Sequence, residues 1–382
     1  MDAIFFPRND YPNNIEICNH RLGKKMTLCE TTTMIPYLVS KVLLPYIVEL
    51  NRTYNIRVGA FFDDINNGNI NAPTSSYLGD NVMQAIDDNI IYPELYFLSD
   101  SGSGDYSDAA QEESKQHLWN WFSNKFGRIP PAIMFGLMPQ SYGNYMMQYV
   151  LGADINDTNN DTDYGIGVGS PNNVPYSQSY YFHRYWNRRA LDGSLNDENY
   201  STRIANLAAL IDNTLALPNG GFIFNFNHWH NLLYKDYERY PDANGNPVPI
   251  AGRNDYAIEN GFKPYFNMLA QKNANDEIYF SGYGEAIGYL VYRESISKAV
   301  MYSPVGKEDS ELVIRLEALN VFNIDTDLLQ TPISIKFSTI GTPLAGKSIR
   351  SDNNMIDLGN NQYIIEIPWS KYPGAVITDK NL

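Results

Sequence analysis

Cysteine is nearly absent: Cys18 and Cys29 are the whole complement of a 382-residue chain. At most one disulfide can form, and either that bridge or two free thiols fits the spacing, so the redox compartment stays open. Positive charge is also in deficit, with 28 Lys and Arg against 43 Asp and Glu, a net charge of −15 and a pI near 4.7. A chain of that sign repels nucleic-acid phosphates, and no basic stripe offsets it; the cluster Arg184 to Arg189 is short and reads as a surface or salt-bridge patch. No run reaches the roughly 18 apolar residues of a membrane helix, so no membrane span is expected. The start, Met1-Asp2-Ala3-Ile4-Phe5-Phe6-Pro7-Arg8, lacks a basic n-region and an apolar h-region, and no secretory leader is expected. That leaves a cytoplasmic protein, or an extracellular, surface-associated or virion protein released by another route such as lysis.

What is plentiful is aromatic: 13% of residues, 29 of them Tyr. Tyr and Trp combine a flat apolar face with a hydrogen-bonding tip, which suits sugars and protein surfaces as well as cores. The length exceeds one compact sandwich and points to a large domain plus a small one. Through residue 302 the pattern is α/β. A helix over 33–51, interrupted at Pro45, leads to a strand at Ile56–Phe62, and a helix over 82–89 to a strand at Glu94–Leu98. A helix at 112–126 stops at Gly127 before a strand at 132–136, a helix follows over 144–151, and 154–175 reads as a long polar loop. Helices at 202–217 and 256–271 each precede a strand, and the last helix is expected over 285–301. From 303 onward short period-two strands between Gly, Asn and Pro turns predict a small all-β module.

The stretch Gly220-Gly221-Phe222-Ile223-Phe224-Asn225-Phe226-Asn227-His228-Trp229-His230 reads as a strand entered from a Gly-Gly turn. Side chains alternate along a strand, so Phe222, Phe224, Phe226, His228 and His230 share one face, an aromatic row finishing in two of the chain's five histidines. The alternative is that one His packs and the other caps the loop. A strand exit is a usual place to present an acid/base imidazole. Two further exits carry chemistry: Phe62-Asp63-Asp64 and Pro139-Gln140-Ser141-Tyr142-Gly143. Adjacent aspartates point opposite ways, so one can serve as a base and the other as a metal ligand; alone, such a pair also reads as a turn cap. His183, within Tyr-Phe-His-Arg-Tyr-Trp, either packs or lines a pocket, and His20 has the same two readings.

Phe-Asp-Asp at an early strand end, Pro-Gln-Ser-Tyr-Gly mid-chain and an aromatic strand ending in His resemble the NodB-type polysaccharide deacetylase family, over roughly residues 15–302. The stretch Ile278 to Glu294 is similar to that family's closing strand and helix. The resemblance implies an irregular (β/α) barrel over 1–302 followed by a sandwich-like β module over 303–382. It implies removal of acetyl groups from an N-acetylated glycan with a divalent metal. Asp63 matches the general base, Asp64 a metal ligand, and His228 or His230 the general acid; Tyr142, Trp229 and His183 fall where substrate contacts are expected. Two departures are visible. The matching second-motif region, Tyr96 to Asp105, holds no histidine, leaving Asp100 or Asp105 as oxygen ligands for a harder cation, and Gly136-Leu137-Met138 stands where an Arg is expected. A non-catalytic barrel of the same shape, serving as a glycan-binding, structural or adhesion module or a phage virion component, is the competing expectation, with protein partners reached through the β module.

Overall fold

The computed structural model describes residues 9–33, 38–62, 80–97, 120–127, 133–135, 149–151, 166–168, 180–182, 200–227, 229–238, 241–253, 255–318 and 331–381. It divides into two compact units, Met26–Ile287 and the pair Met1–Lys25 with Gly288–Leu382. The boundary expected after residue 302 falls inside the second of these.

In chain order, β1 (Asn9–Asp10) and β2 (Ile15–Ile17) come first, then β3 (Met26–Thr33), α1 (Leu44–Tyr54), β4 (Val58–Phe62), α2 (Asp80–Asp87) and β5 (Ile91–Phe97). Residues 120–126 form α3, which Gly127 ends at φ +65° with its N–H on the Ser123 carbonyl, as its glycine stop predicts. Four short strands follow: β6 (Ile133–Phe135), β7 (Tyr149–Leu151), β8 (Ile166–Val168) and β9 (Tyr180–Phe182). Next come α4 (Tyr200–Ala216), β10 (Phe222–Asn227), α5 (Trp229–Leu233), α6 (Lys263–Lys272), β11 (Ile278–Ser281) and α7 (Tyr283–Ser295).

The Met26–Ile287 unit is built on one sheet in the order β10-β3-β4-β5-β6-β7-β9-β8, with β11 also on β3. Every pairing in it is parallel except β8 with β9. β3 is the hub. β10 pairs along Thr27 to Thr32, while β11 occupies Met26 to Cys29 and β4 takes over from Thr31 to Thr33. Because β10 pairs with the same β3 residues as each of them, β11 and β4 must share the other edge of β3, one after the other. One face of this sheet is apolar: Met26, Leu28, Val58, Ala60, Phe62, Ile91, Ile223, Ile278 and Phe280 join Ile47, Leu207, Ile211, Phe262, Phe266 and Leu269 from the helices in one core.

Proline sets the helix joints. Pro45 lies at the start of α1 directly after a wide, π-type turn over Val39–Leu43, which is the split expected there. The same arrangement recurs at Ile258–Phe262 before Pro264 and α6. A proline has no N–H for the carbonyl four residues back and its ring crowds that carbonyl, so the turn before it widens.

Four expectations give way to tertiary pairing. Tyr149–Leu151, expected at the end of a helix, is β7, where Tyr, Val and Leu pair with β6 and β9. Ile166–Val168, inside the expected loop, is β8. The last helix ends at Ser295 rather than continuing to Met301; β-branched Ile296 and Val300 belong instead to β12 (Ile296–Ser303), paired with β13 (Glu311–Ala318). The aromatic strand ends at Asn227 and the chain re-enters a helix at Trp229. Trp229, Leu232 and Leu233 are all buried, and their i, i+3, i+4 spacing is helical, so the two-residue alternation does not reach His230.

The second unit holds two antiparallel sheets, as the period-two pattern predicts. One runs β1-β12-β13-β18-β15, with β15 at Ile349–Ser351 and β18 at Gly374–Asp379; the other runs β16-β17-β14-β2, with β14 at Ile333–Ser338, β16 at Met355–Gly359 and β17 at Gln362–Ile367. Alternate residues Leu312, Ile314 and Leu316 on β13 and Ile333, Ile335 and Phe337 on β14 are buried. β1 pairs with β12 and β2 with β14, so residues from the start of the chain complete both sheets. Among the described residues no helix is long and apolar enough to cross a membrane.

Both cysteines are free and buried. Burial pushes the Cys18 thiol up to about 12. Burial raises Cys29 well above its ordinary value, with the charges of Glu94, Glu285 and Glu30 adding to the effect. A thiol is reactive as its thiolate, so neither should react with Ellman's reagent in the native protein at mildly alkaline pH, and both should react once it is denatured. Rapid labelling of either in the native state would contradict this burial.

Candidate functional site

β3, β4, β5 and β11 turn a second set of residues away from the apolar core. It comprises Thr27, Cys29 and Thr31 on β3, Gly59 on β4 with Arg57 just before it, Tyr92 and Glu94 on β5, and Tyr279 and Ser281 on β11. Polar side chains there are buried and must find partners. Arg57 Nη1 donates to Glu285 Oε2 at 2.9 Å and Oε1 at 3.2 Å and to the Tyr279 hydroxyl at 2.9 Å; its Nε donates to the Asn89 carbonyl at 2.8 Å. The Tyr279 hydroxyl donates to Glu285 Oε1 at 2.8 Å and Ser281 Oγ to Oε2 at 3.0 Å. Arg57 and Glu285 thus form a buried ion pair with its remaining valences filled.

Glu94 lies beside it. Its Oε1 accepts the backbone N–H of Tyr283, the first residue of α7, where the helix dipole favours an anion. Two glycines make room for that carboxylate. A Cβ on Gly282 would stand 2.5 Å from Glu94 Oε1 and 2.5 Å from Tyr92 Cδ1. One on Gly59 would stand 2.7 Å from Thr31 Oγ1 and 3.0 Å from Glu94 Oε1. At this level β11 gives way to β4 along β3, and the backbones meet too closely for any side chain. This layer is a buried polar network. It ties the start of α7 to β5 and Arg57.

Those ends are ordered by register. Asn227 on β10 lies opposite Thr32, Thr32 lies opposite Ala60, and Thr33 lies opposite Phe61, which in turn lies opposite Glu94. β10 and β4 therefore flank β3, β5 lies beside β4, and all four run the same way. Asp63 and Asp64 directly follow β4, Asp100 follows β5, and His228 directly follows β10. Asp63, Asp64, Asp100, Tyr142, His183 and His228 lie outside the described residues. His230 belongs to α5 by its backbone, and its side chain lies outside the description.

Trp229, expected to contact substrate, is fully buried in the core, edge-on to Phe262 at 5.5 Å and to Phe266 at 5.3 Å, and its Nε1 has no hydrogen-bond partner among the described residues. His20 is buried within the Met1–Lys25 and Gly288–Leu382 unit. Among the described residues no group of three His, Cys, Asp or Glu could hold a metal ion.

Glu30, Arg57, Glu94, Asn225 and Glu285 were not singled out from the sequence, although a signal was present. The first four are polar residues in or beside otherwise apolar or Thr-rich strands, such as Asn225 in Phe-Ile-Phe-Asn-Phe or Glu94 in Ile-Tyr-Pro-Glu-Leu, and Glu285 lies in the first turn of α7. A buried position demands a partner for each.

No protein-family model matches the chain, and no curated protein matches it. Among solved structures it is similar to a protein from Mycobacterium smegmatis provisionally described as a polysaccharide deacetylase: 11% identity, 73% of this chain and 92% of that one covered, TM-score 0.39. It is also similar to the 4-alpha-glucanotransferase of Thermococcus litoralis: 12% identity, 69% of this chain and 40% of that one, TM-score 0.37. Scores this low carry no inference about activity.

Removing one half of the buried ion pair should be far worse than removing both. Glu285→Leu leaves Arg57 without its carboxylate and should lower unfolding free energy by about 3–5 kcal/mol, while Arg57→Met/Glu285→Leu should recover most of that loss. Urea unfolding of the three proteins checks it, and a single variant as stable as the parent would contradict the pairing.

Proposed function

We propose that the chain is a deacetylase-like, carbohydrate-active protein whose irregular (β/α) barrel acts on an acetylated glycan at the C-terminal ends of its parallel strands. The observation that carries this reading is the placement of β4 and β10 on either side of β3, all parallel, so that the segments beginning at Asp63 and at His228 leave the sheet at the same end. In α/β barrels that end builds the site.

In this reading water attacks the acetyl carbonyl of the sugar's acetamide. Asp63 takes the proton that the water loses, and His228, with His230 as the alternative, gives a proton to the departing sugar amine, so that acetate and a free amine result. Tyr142 and His183 contact the glycan. Asp64 and Asp100 are the residues that would hold a divalent cation, whose chemistry there is to polarise the acetamide carbonyl and lower the pKa of water. An all-oxygen donor set of this kind suits a hard cation better than a histidine-bound one.

A second reading has one observation in its favour: the stretch Tyr96 to Asp105 contains no histidine. In that case the barrel holds a glycan without turning it over, as an adhesion module or a virion component.

Acetate release from chitooligosaccharides or acetylated xylan separates the two. The enzymatic reading predicts release by the parent protein, stoichiometric metal by elemental analysis, and a fall of about a hundredfold or more in Asp63→Asn. A protein that holds no metal, releases no acetate and is retained on a glycan array would overturn it in favour of the second reading.

A further inference from the structure

The connection from β10 to α6 carries an excursion that neither element requires. β10 finishes at Asn227 opposite Thr32, near the end of β3, and α5 follows at once. β11 starts with Ile278 opposite Met26, the first residue of β3, so α6, which leads into it, finishes at the other end of the sheet. The helical run from Ile258 to Lys272 is about 20 Å long, which returns its start to the end where β3 and β10 finish. Leu232 of α5 lies against that start: a Cβ on Gly261 would stand 3.1 Å from Leu232 Cδ1. Residues 237–256 therefore leave and rejoin the fold at the C-terminal ends of the parallel strands, the end that builds the site in α/β barrels.

Asp236 closes this arm at its base. Its carbonyl accepts the N–H of Ile250 at 2.7 Å, and its Oδ2 accepts the N–H of Ala257 at 2.7 Å and of Ile258 at 3.4 Å. Asp236 is buried, and a carboxylate at the first N–H groups of a helix suits the helix dipole. Above the base Tyr237 pairs with Pro249, the Glu238 N–H donates to the Val248 carbonyl at 2.8 Å, and the Tyr237 hydroxyl donates to Asp255 Oδ1 at 2.7 Å. At the tip Asp242 Oδ1 accepts the N–H of Asn244 at 2.9 Å and of Asn246 at 2.8 Å, and Gly245 turns the chain at φ +80°. The arm is shaped before a partner arrives, so binding does not have to order it.

Its surface is polar and close to neutral. Asn244, Asn246, Arg253 and Tyr256 are exposed. Glu238, Asp242 and Asp255 stand against Arg239 and Arg253, so the arm does not attract a polyanion. Amides and an exposed tyrosine ring match the hydroxyls and the apolar face of a neutral sugar. We propose that residues 237–256 form an outer sugar-binding arm, which holds glycan units beyond the one that reacts, and that Asp236 fixes it in place. Asn244 and Tyr256 are assigned the sugar contacts; Asp236 is a positioning residue. The proposal rests on the reading above for a glycan site at the strand ends.

The test sets the full chain against Asn244→Ala/Tyr256→Ala, Asp236→Leu and Asp236→Asn, with chitobiose and chitohexaose as substrates. In the double variant KM for chitohexaose should rise about tenfold while kcat and the KM for chitobiose keep parent values, as expected when only binding of the outer units is lost. Asp236→Leu, which leaves the Ala257 and Ile258 N–H groups without that acceptor, should show the same length-dependent loss. Asp236→Asn keeps an acceptor oxygen and should keep the parent KM. If Asp236→Leu does not fold, the double variant, altered only at exposed side chains, decides alone. An unchanged KM for chitohexaose in the double variant, or an equal loss on both substrates, would overturn the arm. For a parent that releases no acetate, calorimetric binding of chitohexaose takes the place of KM. Affinity that falls in the double variant would then overturn the enzymatic reading and leave the arm standing, and a parent that binds no chitohexaose would overturn both.

Discussion

β3 is a strand that must satisfy both of its edges with parallel partners. Parallel neighbours cannot be joined by a tight turn, so each one requires the chain to travel away through a crossover and return. β4 returns after α1, β10 after α4, and β11 after α6. The helices that make those returns supply the apolar layer, and the strands they deliver bring three separate segments to one end of the sheet. The hub position of β3 thus links the core and the buried polar layer.

Sharing one edge between β11 and β4 has a local consequence. Where one strand yields to the other the backbones converge, and Gly59 and Gly282 are the residues that allow it. The polar residues around that junction are buried and cannot rely on water. Arg57 is therefore set against Glu285, and Glu94 against the first N–H of α7. Placing the carboxylates at a helix N-terminus uses the helix dipole together with one cation.

Much of the architecture is legible in the sequence, because hydrophobic periodicity reports burial directly. The helices at α1, α2 and α4, the strands at β4, β5, β10 and β11, and the all-β character after residue 303 all follow from it. Three things do not. Short strands such as β7 exist only through their neighbours, so local propensity misplaces Tyr149–Leu151. The turn into α5 hides within an aromatic run, since Trp229 suits a strand or a helix equally until Leu232 and Leu233 are counted with it. The pairing of β1 and β2 with strands near the other end of the chain has no periodic signature at all. Within the candidate site, the residue types Asp63, Asp64 and His228 are visible as strand exits, but the order of strands that makes β4 and β10 flank β3 is a property of topology.

The central claim is that these exits converge. A crystal structure of the full chain soaked with a divalent cation and an N-acetylated chitooligosaccharide tests it most directly. The account predicts the carboxylates of Asp63 and Asp64 and the imidazole of His228 lining one cleft, with the acetamide between Asp63 and His228. A cleft that holds the sugar elsewhere, or strand exits that splay so that His228 faces away from Asp63, would contradict it.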